Sequence, residues 1–452
     1  MTDLFCSNCG HGLAAQDRFC ANCGAPVQQP RQPIYQQPVY QQPIYQQPIY
    51  QQPVYQQPVY QQPVYPSAAV KAKRHTGRTV LLVLLALIVS GVLLSAIFGQ
   101  GASAEDVENR AHAVIENYDQ KYLLQQLDTE QLENVCAIYE SVMSFEDVCH
   151  LPNRLPYDET TQLMILFLSE CPELLQVDPE GIVFCYELAG QQRTYEIEFT
   201  YAMTERRYQA LREECESVLN DWKRQTRSMT DEEKERFVYD EIAASCVYRM
   251  DGAMTGNAYG ALVDGYAKCD GISHAFQWAM QELGIPCICL EGDPPNGDIG
   301  HAWNVVQIGG RFLDVDLTAS VPNPGEKRSV QYPAYNVSDT WIRSIYRLRD
   351  PFTALVDVPG TGSMEYSYHA QTGGLIHGDV SDAVRAMTET LRRMDPAGGA
   401  MTIQFISDRA YESFLDDGRG ILYGLSSTFG GFSWDSVSLD AYRTVTIFVE
   451  FD

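Results

Sequence analysis

A thiol, an imidazole and a carboxylate fall in this chain in an order that could do acyl-transfer chemistry: Cys269, His301 and Asp316. A thiolate can attack a carbonyl carbon. An imidazole can carry the proton, and a carboxylate can hold that imidazole in one tautomer. Each group needs backbone to place it. After Cys269, apolar side chains recur at Ile272, Ala275, Phe276, Ala279, Met280 and Leu283, a helical stripe that stops at Gly284 and Pro286. Cys269 therefore belongs at a helix N-terminus, where the helix dipole favours the anionic thiolate. Gly265 and Gly271 on either side allow close backbone approach to a substrate carbonyl.

His301 opens the alternating run His-Ala-Trp-Asn-Val-Val-Gln-Ile, which ends at Gly309-Gly310, and Arg311 to Leu317 alternates again. Two strands joined by two glycines predict a tight hairpin with Ile308 opposite Arg311. In that register His301 lies opposite Thr318, and Asp316 is its diagonal neighbour on the same face. Asp314 shares the face but sits about 7 Å further along the strand, so Asp316 is the preferred partner and Asp314 the fallback. His274, on the Cys269 helix but turned away from it, is read as structural, and Cys287 and Cys289 as core. His150 beside Cys149 has no partner at ligand spacing, so no metal site is expected there.

These residues resemble the transglutaminase-like superfamily of the papain-like fold, whose pattern is Cys-x-Gly at a helix start, a His-x-Trp-Asn strand and a Val-Asp-x-Thr strand. The matches are Cys269-Asp270-Gly271, His301-Ala302-Trp303-Asn304 and Val315-Asp316-Leu317-Thr318. The likeness covers about residues 225–325, with a looser one upstream from Pro172-Glu173 to Tyr201. It departs from the pattern at Ile272, where bacterial members often carry Tyr, and at Ala319, where Trp often follows the Thr; both bear on pocket shape. The resemblance implies attack by Cys269 on an amide carbonyl, with His301 as base and then acid and Asp316 orienting it. A thioester then passes to water or to an amine. The Cys269 backbone N–H, with Tyr248 as a side-chain candidate, would receive the oxyanion.

A second cluster lies near the start of the chain: Cys6-x2-Cys9-x10-Cys20-x2-Cys23, with Gly10 and Gly24 after each pair. Two such knuckles place four thiolates around one Zn²⁺ with no open position, so the role expected of the metal is structural. The segment resembles a short zinc ribbon over residues 4–27. Residues 28–70 are a linker with seven Pro-Ile/Val-Tyr repeats at a period of five, separated by Gln-Gln. Proline at that spacing blocks helix and sheet ladders, and an extended spacer is expected; a multivalent peptide ligand built on Tyr35 to Tyr65 is the alternative.

Residues 79–98 hold no charge and are dominated by Leu, Val and Ile. Twenty such residues reach about 30 Å as a helix, enough to cross a bilayer core. Lys71, Lys73, Arg74 and Arg78 precede the run, and Glu105, Asp106 and Glu108 follow it. The expectation is a single-pass cell-membrane protein, its N-terminus cytoplasmic and its C-terminal ectodomain outside. That places the thiolate zinc site in a reducing compartment. The opening residues are polar and Cys-rich rather than basic and then apolar, so no secretory signal is expected.

Residues 1–78 hold six Lys/Arg and two Asp/Glu, a charge of +4, so of the formal −27 the rest of the chain carries −31. So acidic a surface repels nucleic acid, and no nucleic-acid partner is expected. The remaining elements divide into an α+β region over 105–224, the transglutaminase-like domain over 225–345, and a C-terminal α/β region over 365–452 of unknown role. Strands are predicted at 181–187, 193–201, 401–406 and 444–451, and helices at 206–222, from Thr230 onward and at 382–393. The nine cysteines beyond residue 23 are compatible with disulfides or with buried thiols. Two functions remain: a thiol enzyme acting on protein or peptide substrates outside the membrane, or an inactive binding and sensing module coupled to a cytoplasmic partner of the zinc ribbon and repeat.

Overall fold

Hairpins and helix caps lay out this chain. The computed structural model describes residues 4–5, 12–13, 103–187, 192–295, 300–325, 331–349 and 351–451. Two units are distinguished, residues 1–81 and 82–452. In the first, β1 (Leu4–Phe5) pairs antiparallel with β2 (Gly12–Leu13), Phe5 opposite Gly12. Cys6, Cys9, Cys20 and Cys23, the Pro-Tyr repeat and the apolar run 79–98 lie outside the described residues. Among the described residues, no helix is long and apolar enough to cross a membrane.

The second unit begins with α1 (Ala104–Val114) and α2 (Thr129–Met143). Both start at capping boxes, Ser103 with Asp106 and Asp128 with Gln131, which satisfy amides a helix start leaves orphaned. Strand β3 (Val148–His150), α3 (Tyr157–Glu170), β4 (Val177–Glu187), β5 (Arg193–Tyr201) and α4 (Glu205–Gln225) follow. The three strands form one antiparallel sheet in the order β3-β5-β4. Ile197 and Phe199 on its inner face pack against Val135, Ile138, Leu163 and Phe167.

The central part runs from α5 (Asp231–Ser245), capped by Thr230 with Glu233, through the short parallel pair β6 (Val247–Tyr248) and β7 (Tyr266–Ala267) to α6 (Cys269–Glu282). Strands β8 (Cys287–Asp293), β9 (His301–Ile308), β10 (Arg311–Val315) and β11 (Arg347–Leu348) make an antiparallel sheet ordered β10-β9-β8-β11. Helix α6 is enclosed almost all round, with Gly271 to Gln281 buried except His274. Its Ile272, Phe276 and Met280 join Leu211, Leu219, Val238 and Ile242 of α4 and α5 in one core. Each such side chain contributes roughly 1.5–3 kcal/mol, so the helix start that carries Cys269 is a fixed point.

The β9–β10 register is the expected one, with Ile308 opposite Arg311 and Asn304 opposite Val315. Gly309 and Gly310 both take positive φ, 56° and 77°, as a two-residue hairpin turn requires. The pairing stops earlier than expected. Residues 334–337 take the β10 edge: Asp314 exchanges backbone hydrogen bonds with Val337 (3.2 and 2.9 Å), and the Asp316 amide donates to Ala334 O (2.8 Å). The chain then turns into a 3-10 helix at Leu317–Ser320, so Thr318 does not pair with His301, which lies opposite Gly292 of β8.

The C-terminal part has its own core. Strands β12 (Leu375–Ile376), β13 (Gly399–Phe405), β14 (Phe432–Leu439) and β15 (Thr444–Phe451) form a sheet ordered β12-β13-β15-β14, covered by α7 (Val380–Arg393) and α8 (Asp408–Thr428). Met387, Leu391, Ile403, Phe405, Phe414 and Ile447 fill the space between. Cys136, Cys149, Cys171, Cys185, Cys215, Cys269, Cys287 and Cys289 form no disulfide, and all but Cys185 are buried.

Candidate active site

Cys269 is the first residue of α6, 6% exposed. The residue before it, Lys268, provides no side-chain cap, so the amides of the first helical turn stay available to an oxygen on a ligand. Lys268 Nζ instead pairs with Asp270 Oδ2 (2.6 Å), and Asp270 Oδ1 accepts from the Cys269 thiol (3.3 Å). Burial alone would raise the Asp270 carboxyl; the Lys268 ammonium outweighs it and holds Asp270 below the usual carboxylate range. The helix start is seated tightly on the preceding loop. A Cβ at Gly271 would lie 2.3 Å from Thr255 O and 2.8 Å from Asn257 O. From the other side, the Asn304 side chain of β9 donates to Ser273 O (3.0 Å) and Ile288 O (3.2 Å), tying α6 to the sheet.

His301 Nε2 lies 2.8 Å from Asp316 Oδ2. With Nε2 so engaged, Nδ1 is the nitrogen left for the Cys269 sulfur, which also interacts with the ring. Burial pushes the His301 imidazole down, but Asp316 and then Cys269 outweigh it and raise it to about 10. One face of the ring is covered by Tyr346, stacked at 4.5 Å between centroids and 17° between planes. Asp316 is fully buried, and its Oδ2 accepts a second hydrogen bond from the Tyr442 hydroxyl. The Tyr442 and Tyr346 hydroxyls are 2.9 Å apart.

The structure thus brings Cys269, His301 and Asp316 together. Asp314 is turned elsewhere: its Oδ1 accepts from Trp303 Nε1 (2.9 Å), and burial pushes its carboxyl up to about 7. Tyr248 directs its hydroxyl to Met250 Sδ (3.1 Å), and burial, then the nearby Cys269, raises its pKa. His274 is half-buried on α6. Cys287 and Cys289 are buried in β8, and Cys289 packs with Cys269 and Ala302. His150 does have a neighbour: Nδ1 meets Glu196 Oε2 at 2.8 Å, and ligand atoms of Cys185, Glu196 and Glu198 lie within 4.8 Å of one another. Sequence reasoning missed those partners because they come from other strands. It also missed Tyr346 and Tyr442, which belong to no spacing pattern with Cys269, His301 and Asp316. A surface cavity of about 500 Å³, lined by Ile115, Tyr139 and Met143 among others, includes none of these site residues.

Residues 220–317 match the family profile described as Transglutaminase-like superfamily, and residues 5–27 match that of the zinc-ribbon domain. The chain carries a transglutaminase-like domain and a zinc ribbon. Similar solved structures include a TGase, at 14% identity and a TM-score of 0.23, covering 41% of this chain and 53% of that one. A candidate cysteine protease from Cytophaga hutchinsonii has 15% identity and a TM-score of 0.21, covering 32% and 63%. The periplasmic domain of TgpA from Pseudomonas aeruginosa bound to ethylmercury has 16% identity and a TM-score of 0.20, covering 29% and 58%. The chain spans between 53% and 63% of the length of these solved chains. No curated protein matches it significantly. The transglutaminase-like profile contains Cys269, His301 and Asp316 within its matched residues.

Proposed function

We propose that this protein is a membrane-anchored thiol enzyme whose transglutaminase-like domain opens protein or peptide amide bonds outside the membrane. The observation that carries the reading is the 2.8 Å pair of His301 Nε2 and Asp316 Oδ2 beside a cysteine at an uncapped helix start. In the first half-reaction the Cys269 thiolate attacks the amide carbon, forming a C–S bond, and the carbonyl oxygen becomes an oxyanion facing the Cys269 backbone N–H. The imidazolium of His301 gives its proton to the departing nitrogen as the C–N bond breaks, leaving a thioester. Water or an amine then attacks that thioester, His301 takes the proton, and the C–S bond breaks to return the thiolate. Asp316 holds the imidazole in place through both steps.

The anchor in this reading is residues 79–98, with the basic flank on the cytoplasmic side. The four thiols Cys6, Cys9, Cys20 and Cys23 form a donor set suited to one tetrahedral Zn²⁺. The metal would supply folding energy to the zinc ribbon, which with the repeat offers a docking point for a cytoplasmic protein.

Iodoacetamide labelling tests the chemistry. Cys269 should react fast near neutral pH and slow on the order of 100-fold in His301→Ala. Slow labelling in the natural protein, unchanged by His301→Ala, would favour the non-catalytic binding module instead. Protease added to intact cells should digest residues 105–452, and protection of that region would refute the outward placement.

A further inference from the structure

The C-terminal domain, which the chemistry above does not use, reaches the site through one side chain. Tyr442 ends the 3-10 turn Asp440–Tyr442 that joins β14 to β15, and Arg443 after it takes a left-handed φ of 48°. Few residues with a side chain adopt that conformation. Here the Arg443 guanidinium donates to Phe405 O (3.2 Å) and Asp408 Oδ1 (2.7 Å), which holds the turn. The turn aims Tyr442 out of its own core. It packs instead with Trp303 and Val305 of the transglutaminase-like region and with Trp341 and Tyr346 that follow it.

There it closes a ring of contacts. The Tyr442 hydroxyl donates to Asp316 Oδ2, the oxygen that also holds His301 Nε2, while Asp316 Oδ1 has no hydrogen-bond partner. Two donors on one oxygen fix the rotation of the carboxylate, and with it the plane of the imidazole. The Tyr346 hydroxyl meets that of Tyr442, and the Tyr346 ring stacks on His301. The imidazole is thus gripped at an edge and a face, and one side chain of the C-terminal domain links the two grips.

We infer that the C-terminal domain is a working part of the transglutaminase-like site, and that Tyr442 is the positioning residue through which it holds Asp316 and His301. The kinetic arm of the test rests on the proposed amide chemistry; the spectroscopic arm does not. Tyr442→Phe in the full chain removes the hydroxyl and keeps the ring in its apolar cluster, so the thermal midpoint verifies folding. A hydrogen bond to a charged group is worth about 1.5–3 kcal/mol, so kcat and the Cys269 alkylation rate should fall on the order of 10- to 100-fold, with KM unchanged. In an Asp316→Asn background the same substitution should add less than about twofold. With ¹⁵N-histidine labelling, the His301 Nε2–H resonance should shift in Tyr442→Phe. An unmoved His301 resonance overturns the inference, and so do equal rate losses in both backgrounds, which would mark general loosening. If Cys269 proves inert in the natural protein, the amide chemistry falls and the His301 resonance alone decides the role of Tyr442.

Discussion

Two hairpins meet at Asp316, and they are built in opposite ways. The β9–β10 hairpin turns through Gly309 and Gly310 at no steric cost and delivers its polar groups, His301 and Asp316, from the open end. The β14–β15 hairpin turns through Asp440 to Arg443 and delivers its polar group, Tyr442, from the turn itself. The first turn is encoded in residues that need no help. The second is encoded in contacts, because Arg443 holds its backbone only while its guanidinium is anchored on Phe405 and Asp408. A group delivered from an open end is set by strand register; one delivered from a turn is set by whatever holds the turn.

The largest test of this contrast is at the shared carboxylate. On the proposed chemistry Asp316→Ala should lower turnover on the order of 10³- to 10⁴-fold, as loss of a triad carboxylate does, while Asp314→Asn should leave kcat within about threefold, because the Asp314 carboxylate accepts from Trp303 rather than holding His301. Steady-state kinetics of the two variants side by side would break the assignment if the order reversed. Next come the turns. Gly310→Val places a β-branched residue at φ 77° and should cost at least about 1–2 kcal/mol by denaturant midpoint. Arg443→Ala keeps the strained φ and loses both anchoring bonds, whereas Arg443→Gly loses the bonds but relaxes the backbone. The alanine variant should therefore be the less stable by about 1 kcal/mol.

A further test lies in pH. Asp314 titrates near 7 in the folded protein, above its ordinary value, so the folded state binds the extra proton and stability falls as pH rises from about 4 to about 7. His301 has the same direction of shift but a different window: its contribution is whole below about 6.5 and is lost as pH rises through about 10. The drop in thermal midpoint between pH 5 and pH 7 should therefore shrink in Asp314→Asn and persist in His301→Gln.

Much of this site was readable from the chain. Gly309-Gly310 set the register, the register favoured Asp316 over Asp314, and the acidic turn after Thr230 announced α5. Strands at 193–201 and 444–451 were plain from alternation. What stayed hidden has physical causes. Helix α8 contains Gly418, Gly420 and Gly424, residues that argue locally against a helix, and its packing against β13 overrides them. The end of β10 depends on residues 334–337 taking its edge, a competition between distant segments that alternation does not encode. Tyr442 lies 126 residues from Asp316, so no local pattern links them.

The seat beneath Gly271 bears on how such a protein could change over time. Backbone oxygens of Thr255 and Asn257 stand where any side chain at 271 would have to go. A single methyl there would lift the start of α6 and carry the sulfur of Cys269 away from the imidazole, with thiol, histidine and carboxylate all still in the sequence. On the proposed chemistry, the result would be a pseudoenzyme whose reactive residues read as complete, silenced by a change at a position that does no chemistry.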